Sequence, residues 1–335
     1  MSARAELSPA ALYGALALLL ALCFAASLAA GPAEIPTAQV FGNLFALDRS
    51  AAALVVQEIR LPRTLLGALI GATLGLAGAA LQGLLRNPLA EPGLIGVSGG
   101  AAFGAVVMFY SGVAAAFPLA LPLGGMAGAL LAATALYALA GRDSGILTLI
   151  LAGIAINSLA SALTALALNL APSQFAALEI AFWLLGSVAD RTWQHIVLAL
   201  PFMAAGWLLL LSTGRALDAL TLGEETAASL GFDLRSVQLR LILGITLAVG
   251  AAVAVSGGIA FVGLVVPHLL RPLVGHQPSR LLPASAFGGA SLLLASDIVV
   301  RLFPAGPELK LGVVTALIGA PFFLFLVLRT RRAVP

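Results

Sequence analysis

Apolar residues run along this chain in long blocks that charged residues interrupt only briefly. Charge-free stretches cover 7–33, 64–85, 92–141, 144–178, 192–214, 241–270, 281–296 and 311–328. A helix crossing a bilayer needs about 20 apolar residues, so several of these runs hold more than one crossing. The 50-residue run 92–141 carries Pro118 and Pro122, which mark a turn inside it. The run 241–270 breaks at Ser256-Gly257-Gly258. The pattern predicts about ten spans, at 10–30, 61–85, 94–112, 118–140, 145–170, 192–213, 238–256, 258–273, 281–303 and 310–329. The first apolar stretch exceeds the ~7–15 residues of a signal-peptide core, so it is read as a retained helix.

One long polar interruption stands out in the second half. Residues 215–240 hold Arg215, Asp218, Glu224, Glu225, Asp233, Arg235 and Arg240. At its centre Gly223 and Gly231 bracket a short helix-like piece that includes Glu224, Glu225, Ala228 and Leu230. A structured polar insert between two spans must lie outside the lipid, where a soluble partner can grip it.

Composition agrees with a polytopic membrane protein. The chain is 61% hydrophobic and 9% charged, with a mean hydropathy of +1.09. A soluble domain carries roughly 25% charged residues. Ten spans put both termini on one side, and counting basic residues chooses that side. Arg4, Arg86, Arg142, Arg215, Arg235, Arg240, Arg271, Arg280, Arg329, Arg331 and Arg332 share one face. The opposite face has Arg49, Arg60, Arg63, Arg191, Arg301 and Lys310. The richer face is expected to be cytoplasmic, with the 215–240 insert and both termini on it. The net charge of +3 follows from this bias and carries no nucleic-acid signal.

Glycines recur every four residues at Gly67, Gly71 and Gly75, and again at Gly96, Gly100 and Gly104. Such spacing lines one helix face and lets backbones approach closely in lipid. Asp297 lies deep in a span, where a carboxylate is costly. It is either a proton-relay acid or a partner for an arginine, and Arg301 four residues on is placed to neutralise it. His268, after Pro267, reads as structural. Arg60, Arg63 and Arg301 sit at external helix ends, as interface anchors or as forks for carboxylates.

Several chemistries are missing. The single lysine, Lys310, lies between Leu309 and Leu311, so the phosphate-binding sequence G-x-x-x-x-G-K-[ST] cannot occur. No metal-type Cys/His cluster, catalytic triad or carboxylate pair is present, and Cys23 is the one cysteine. If ATP drives this protein, another chain hydrolyses it.

Three blocks carry a family resemblance. They are Arg60-Leu61-Pro62-Arg63; Gly78-Ala79-Ala80-Leu81-Gln82 with Arg86-Asn87-Pro88-Leu89-Ala90-Glu91-Pro92-Gly93-Leu94-Ile95-Gly96; and Gly257-Gly258-Ile259-Ala260-Phe261-Val262-Gly263-Leu264-Val265-Val266-Pro267-His268-Leu269-Leu270-Arg271. Together with Ala295-Ser296-Asp297 through Arg301 and Gly319-Ala320-Pro321-Phe322-Phe323, they resemble the FecCD-like permease subunits of iron-chelate, haem and cobalamin ABC importers, over about residues 10–330. The resemblance implies one all-α permease domain over 1–335, ten helices per subunit, and a homodimer around a central pathway in a bacterial inner membrane. It implies two ATPase subunits carrying ATP and Mg, and a periplasmic substrate-binding protein. It implies no permanently bound cofactor, with haem or another iron chelate as cargo. Residues 215–240 then couple to the ATPase through Gly223, Glu224, Glu225, Ala228, Leu230 and Gly231. Arg60 and Arg301 meet the binding protein, and Ile146, Leu147, Asn87 and Pro88 belong to a cytoplasmic gate. Ala90-Glu91-Pro92-Gly93-Leu94 looks closer to the haem and cobalamin branches than to the siderophore branch. Haem is the first choice, ferric siderophore the second and cobalamin the third. The chain departs from the family at Glu308-Leu309-Lys310-Leu311-Gly312, where a proline is usual in place of Lys310. The alternative from another class is an ion-coupled secondary transporter using Asp297.

Overall fold

The computed structural model describes residues 8–33, 35–46, 50–117, 119–141, 145–303 and 309–331. Pro118, Glu308 and, from the charge count, Arg4, Arg49, Arg142 and Arg332 lie outside the described residues.

The described chain is all helix apart from turns and short connections, 82% helical with no strands. Ten principal helices follow the predicted spans: α1 (Pro9–Ala29), α2 (Leu61–Leu84), α3 (Val97–Tyr110), α4 (Ala120–Ala140), α5 (Ile146–Asn169), α6 (Trp193–Ser212), α7 (Leu234–Ser256), α8 (Val262–Leu270), α9 (Pro278–Leu302) and α10 (Leu311–Arg331). Seven are long and apolar enough to cross a membrane, counting α2 with the helical lead-in that begins at Ala51. The others, α3, α8 and α10, are shorter apolar helices.

Two of the short ones differ from the expected spans for local reasons. Residues Pro92–Ile95 form a single tight turn and Gly96 is left-handed (φ +78°), so α3 starts later than position 94. After α7 the backbone turns at Gly257 (φ +73°) and runs without helix to Phe261, so α8 begins at Val262 and not at 258. Helices at Thr37–Asn43 and Gln174–Leu184 occupy connections to which the hydrophobic pattern assigned no element.

Helices α2 and α7 form the centre, each with 78% of its most apolar window buried. By the same measure α1 and α5 are only 22% buried. Lipid tails are as apolar as leucine, so the outer helices gain little from burial, and close packing has to hold them. The α2–α9 seam does this through glycine. A Cβ on Gly71 or Gly75 would run into the backbone carbonyl of Gly289 or Ser285. The α3–α4 seam repeats the device, with Gly100 and Gly104 against Gly128 and Gly124. Trp207 Nε1, on α6, donates to Thr73 Oγ1 at 2.9 Å and ties α6 to the same central helix.

Gly75→Val should force α2 from α9, at a cost of about 1–3 kcal/mol for overpacking. A lowered melting temperature of the purified protein in detergent checks this. Gly14→Val, with nothing within 4 Å of its added Cβ, is the control.

Candidate functional site

Three polar regions bear on function: an arginine cluster at the end of α1, a cavity at the broken entry to α8, and the insert between α6 and α7.

α1 stops at Ala29 and its last carbonyls need donors. Ala26 O accepts from Ala30 N–H at 2.9 Å. Arg301 Nη1 donates to Ser27 O at 2.8 Å and Ala30 O at 3.2 Å. Arg60 Nη1 donates to Leu28 O at 3.1 Å and Ala29 O at 2.9 Å, and its Nη2 to Ala33 O at 2.6 Å. Two arginines from distant helices therefore cap α1. Asp297, 1% exposed, accepts from Arg63 Nη2 at 2.8 Å and from Arg301 Nε at 2.7 Å. Of the two readings of Asp297, the structure gives the arginine partner, and adds Arg63, which sequence spacing did not pair with it. Arg60 is 3% exposed and the Arg301 side chain 3%. Neither presents a free outward fork, as the expectation of docking residues had pictured them.

Between the halves of the chain, Glu91 reaches across to the start of α8. Its Oε1 accepts from Phe261 N–H at 2.5 Å, at a residue held left-handed (φ +68°). Gln82 Nε2 donates to Ala90 O and Gly263 O, both at 3.3 Å, and Gln82 Oε1 accepts from Arg271 Nη2 at 2.6 Å. A cavity of about 440 Å³ opens beside this network, lined by Glu91, Leu94, Asn157, Phe261, Leu264 and Phe323 among others. In the sequence Gln82 and Glu91 stand only as parts of the family-like blocks, with Glu91 also in the cargo ranking, and Asn157 has no assigned role. A glutamine and an asparagine in apolar surroundings were the available signal.

In the insert between α6 and α7, a first helix (Gly214–Leu220) buries Leu217 completely and a second (Glu224–Ser229) buries Ala227. Gly223 and Gly231 both take positive φ, +108° and +87°. Gly231 ends the short helix, with Phe232 N–H on Ala227 O at 3.2 Å and Gly231 N–H on Ala228 O at 3.0 Å. This is the arrangement in which glycine satisfies the last carbonyls of a helix. Glu225, Ala228 and Leu230 face outward, with Leu230 60% and the neighbouring Leu222 67% exposed. Glu224 bonds to Arg86, Nη2 to Oε1 at 3.0 Å. Asp233 starts α7 by accepting from Arg235 N–H and the Ser236 hydroxyl, and the latter bond first of all holds its carboxyl below the usual range.

The gate residues are placed apart. Asn87 and Pro88 form an exposed turn after α2, and Pro88 lines a cleft of about 850 Å³ with Arg86, Asp218, His268, Arg271 and Gln277. Ile146 packs against the core at the start of α5 and Leu147 is 69% exposed, but neither lines that cleft. Lys310, where the external loop departs from the family, stands 6.0 Å over the Phe182 ring.

Seven candidate spans, four shorter apolar helices, a break between α7 and α8 and a polar insert between α6 and α7 are the layout of a membrane-embedded transport subunit. The chain belongs to the FecCD transport family, whose model matches residues 18–329. It is similar to the vitamin B12 import system permease protein BtuC of Vibrio cholerae, 44% identical over 82% of this chain and 83% of that one. It is also similar to the hemin transport system permease protein HmuU of Yersinia pestis, 40% identical over 82% and 83%. The iron(3+)-hydroxamate import system permease protein FhuB of Bacillus subtilis is 38% identical over 96% of this chain and 85% of that one. A solved structure of a metal-chelate type ABC transporter in an inward-facing conformation matches with TM-score 0.82 and 33% identity, over 96% of this chain and 99% of that one.

Asp297→Asn should leave two arginines without their anion and destabilise the fold by about 3–5 kcal/mol, the usual result of removing one member of a buried charged group. Thermal unfolding in detergent checks the loss. The folded fraction should retain ATP-dependent uptake, whereas loss of transport at unchanged stability would restore the proton-relay reading.

Proposed function

We propose that this chain is the permease of an ATP-driven importer of haem in a bacterial inner membrane, with both termini cytoplasmic. Two copies enclose the pathway, two ATPase subunits seat against 215–240, and a periplasmic binding protein delivers the cargo. The exposed patch formed by Leu222, Glu225, Ala228 and Leu230 carries the energy-coupling part of this reading. It is an apolar surface with an acid beside it on the polar face of a membrane protein, and such a patch marks an interaction site. ATP hydrolysis belongs to the partner, because the chain has no lysine in a phosphate-binding sequence.

Cargo selection rests on the cavity beside Glu91. Its wall is mostly apolar and aromatic, with Glu91, Asn157 and Ser158 as the polar groups and no basic residue. A flat, largely apolar metal chelate suits such a wall better than a densely charged one. The names of the relatives span haem, cobalamin and hydroxamate chelates, and haem remains first, ferric siderophore second and cobalamin third. Arg60 and Arg301 remain the residues proposed for binding-protein docking, acting through the net positive field of their cluster on acidic residues of that protein and not through a free fork, since both are buried against the end of α1. The gate role falls to Asn87 and Pro88 in each copy, with the exposed Leu147 and its neighbour Ile146 meeting the second copy.

Leu230→Glu should abolish co-purification of the ATPase subunit while leaving the permease folded, as judged by an unchanged melting temperature. For cargo, the whole transporter in liposomes should take up haem with ATP and exclude cobalamin and ferric hydroxamate. Uptake of cobalamin alone would overturn the choice of haem and leave the importer assignment intact.

A further inference from the structure

The insert touches the rest of the cytoplasmic face in two distinct ways. Its first helix is anchored. Asp218 accepts from Ser279 N–H at 2.8 Å and from Gln277 Nε2 at 3.1 Å, so it caps the start of α9. The short second helix, which bears the exposed patch, is joined by a contact of another kind. Glu224 pairs with Arg86 at 3.0 Å, and the two side chains are 50% and 45% exposed.

Arg86 is an unexpected residue for its position. It follows the end of α2 with φ +48°, while Asn87 N–H bonds to Gln82 O at 3.2 Å and Arg86 N–H to Gly83 O at 3.4 Å. This is the same helix ending that Gly231 makes after the short helix, and glycine is the residue that adopts it without strain. An exposed ion pair adds little to stability, and a non-glycine residue held at positive φ detracts from it. What the arginine supplies is reach: it spans from the gate turn to the short helix, and Asn87-Pro88 follows it directly in the chain. Glu225, one residue on, makes no ion pair among the described residues and is left for a partner.

Resting on the reading of the short helix as the ATPase seat, we propose that the Arg86–Glu224 pair is the link that carries its displacement into the Asn87-Pro88 turn. The anchored helix Gly214–Leu220 holds its place against α9. The short helix, hinged at Gly223, moves with its partner, and the ion pair draws the end of α2 with it. Arg86 and Glu224 are positioning residues for the gate and touch no cargo.

The test uses the complete transporter in liposomes, with ATP hydrolysis and cargo uptake measured on the same preparation. Arg86→Glu and Glu224→Arg should each lower the cargo moved per ATP by at least about fivefold, the low end of ordinary coupling between sites. The exchanged double variant, Arg86→Glu with Glu224→Arg, should recover most of it. Arg86→Gly separates coupling from folding, because it relieves the backbone and should melt no lower than the parent while losing coupling. Singles that keep the parent ratio, or an exchanged variant as poor as the worse single, would overturn the link. Should the parent complex show no ATP-dependent uptake or no ATPase binding, the importer reading itself falls, a failure distinct from loss of coupling in a complex that still binds and hydrolyses ATP.

Discussion

Backbone groups at the ends of helices have no water to turn to inside a membrane, and this chain solves the problem with side chains borrowed from far along the sequence. Arg60 and Arg301 close the end of α1, and Glu91 and Gln82 serve the broken entry to α8. Each borrowed group is polar and would be costly unpaired, so each brings its own partner. Asp297 neutralises Arg301 and Arg63, and Arg271 donates to Gln82. The polar residues of the spans are thus consequences of where helices stop. The long continuous helices α2 and α7 need few of them.

A division between stiff and movable parts follows. At the α2–α9 seam glycine brings backbone against backbone, and a packed seam of that kind has no slack in which to slide continuously. The pieces with slack are those joined by few contacts: the turn after α2 and the short helix after Gly223. These are also the pieces assigned to gate and drive. The external end differs, because α1 is fixed to α9 at both ends, by Tyr13 Oη donating to Arg280 O at 2.9 Å and by Arg301 on Ser27 and Ala30. A displacement entering through the short helix would therefore meet, at the far end of α2, a rim that is already stapled.

Much of this was legible in the chain. Charge-free runs located the seven long spans and three of the four shorter apolar helices, and glycines at every fourth position marked two real seams, because hydropathy and small-residue period each reflect a constraint local to one helix. Gly231 as a helix end was readable for the same reason. The legible part ended where partners came from elsewhere. Arg301 at i+4 from Asp297 was visible, but Arg63, 234 residues before Asp297, was not. Arg60 looked like an external anchor because nothing in the sequence shows that α1 ends beside it. The helix Gln174–Leu184 was missed because its 11 residues fall short of a span and carry Glu179.

The two acids of the short helix illustrate how burial sorts roles that sequence leaves equal. Adjacent carboxylates at a helix start are both favoured by its dipole, so composition cannot separate them. Geometry does: Glu224 is aimed at Arg86, while Glu225 points to solvent. The buried capping contact of Asp218 is suited to holding α9, since breaking it would strand backbone donors. The exposed pair at Glu224 has the opposite virtue. Its two charges stay hydrated while they touch, so the short helix and the end of α2 can shift together without stranding a buried charge, as a buried pair would if it were disturbed.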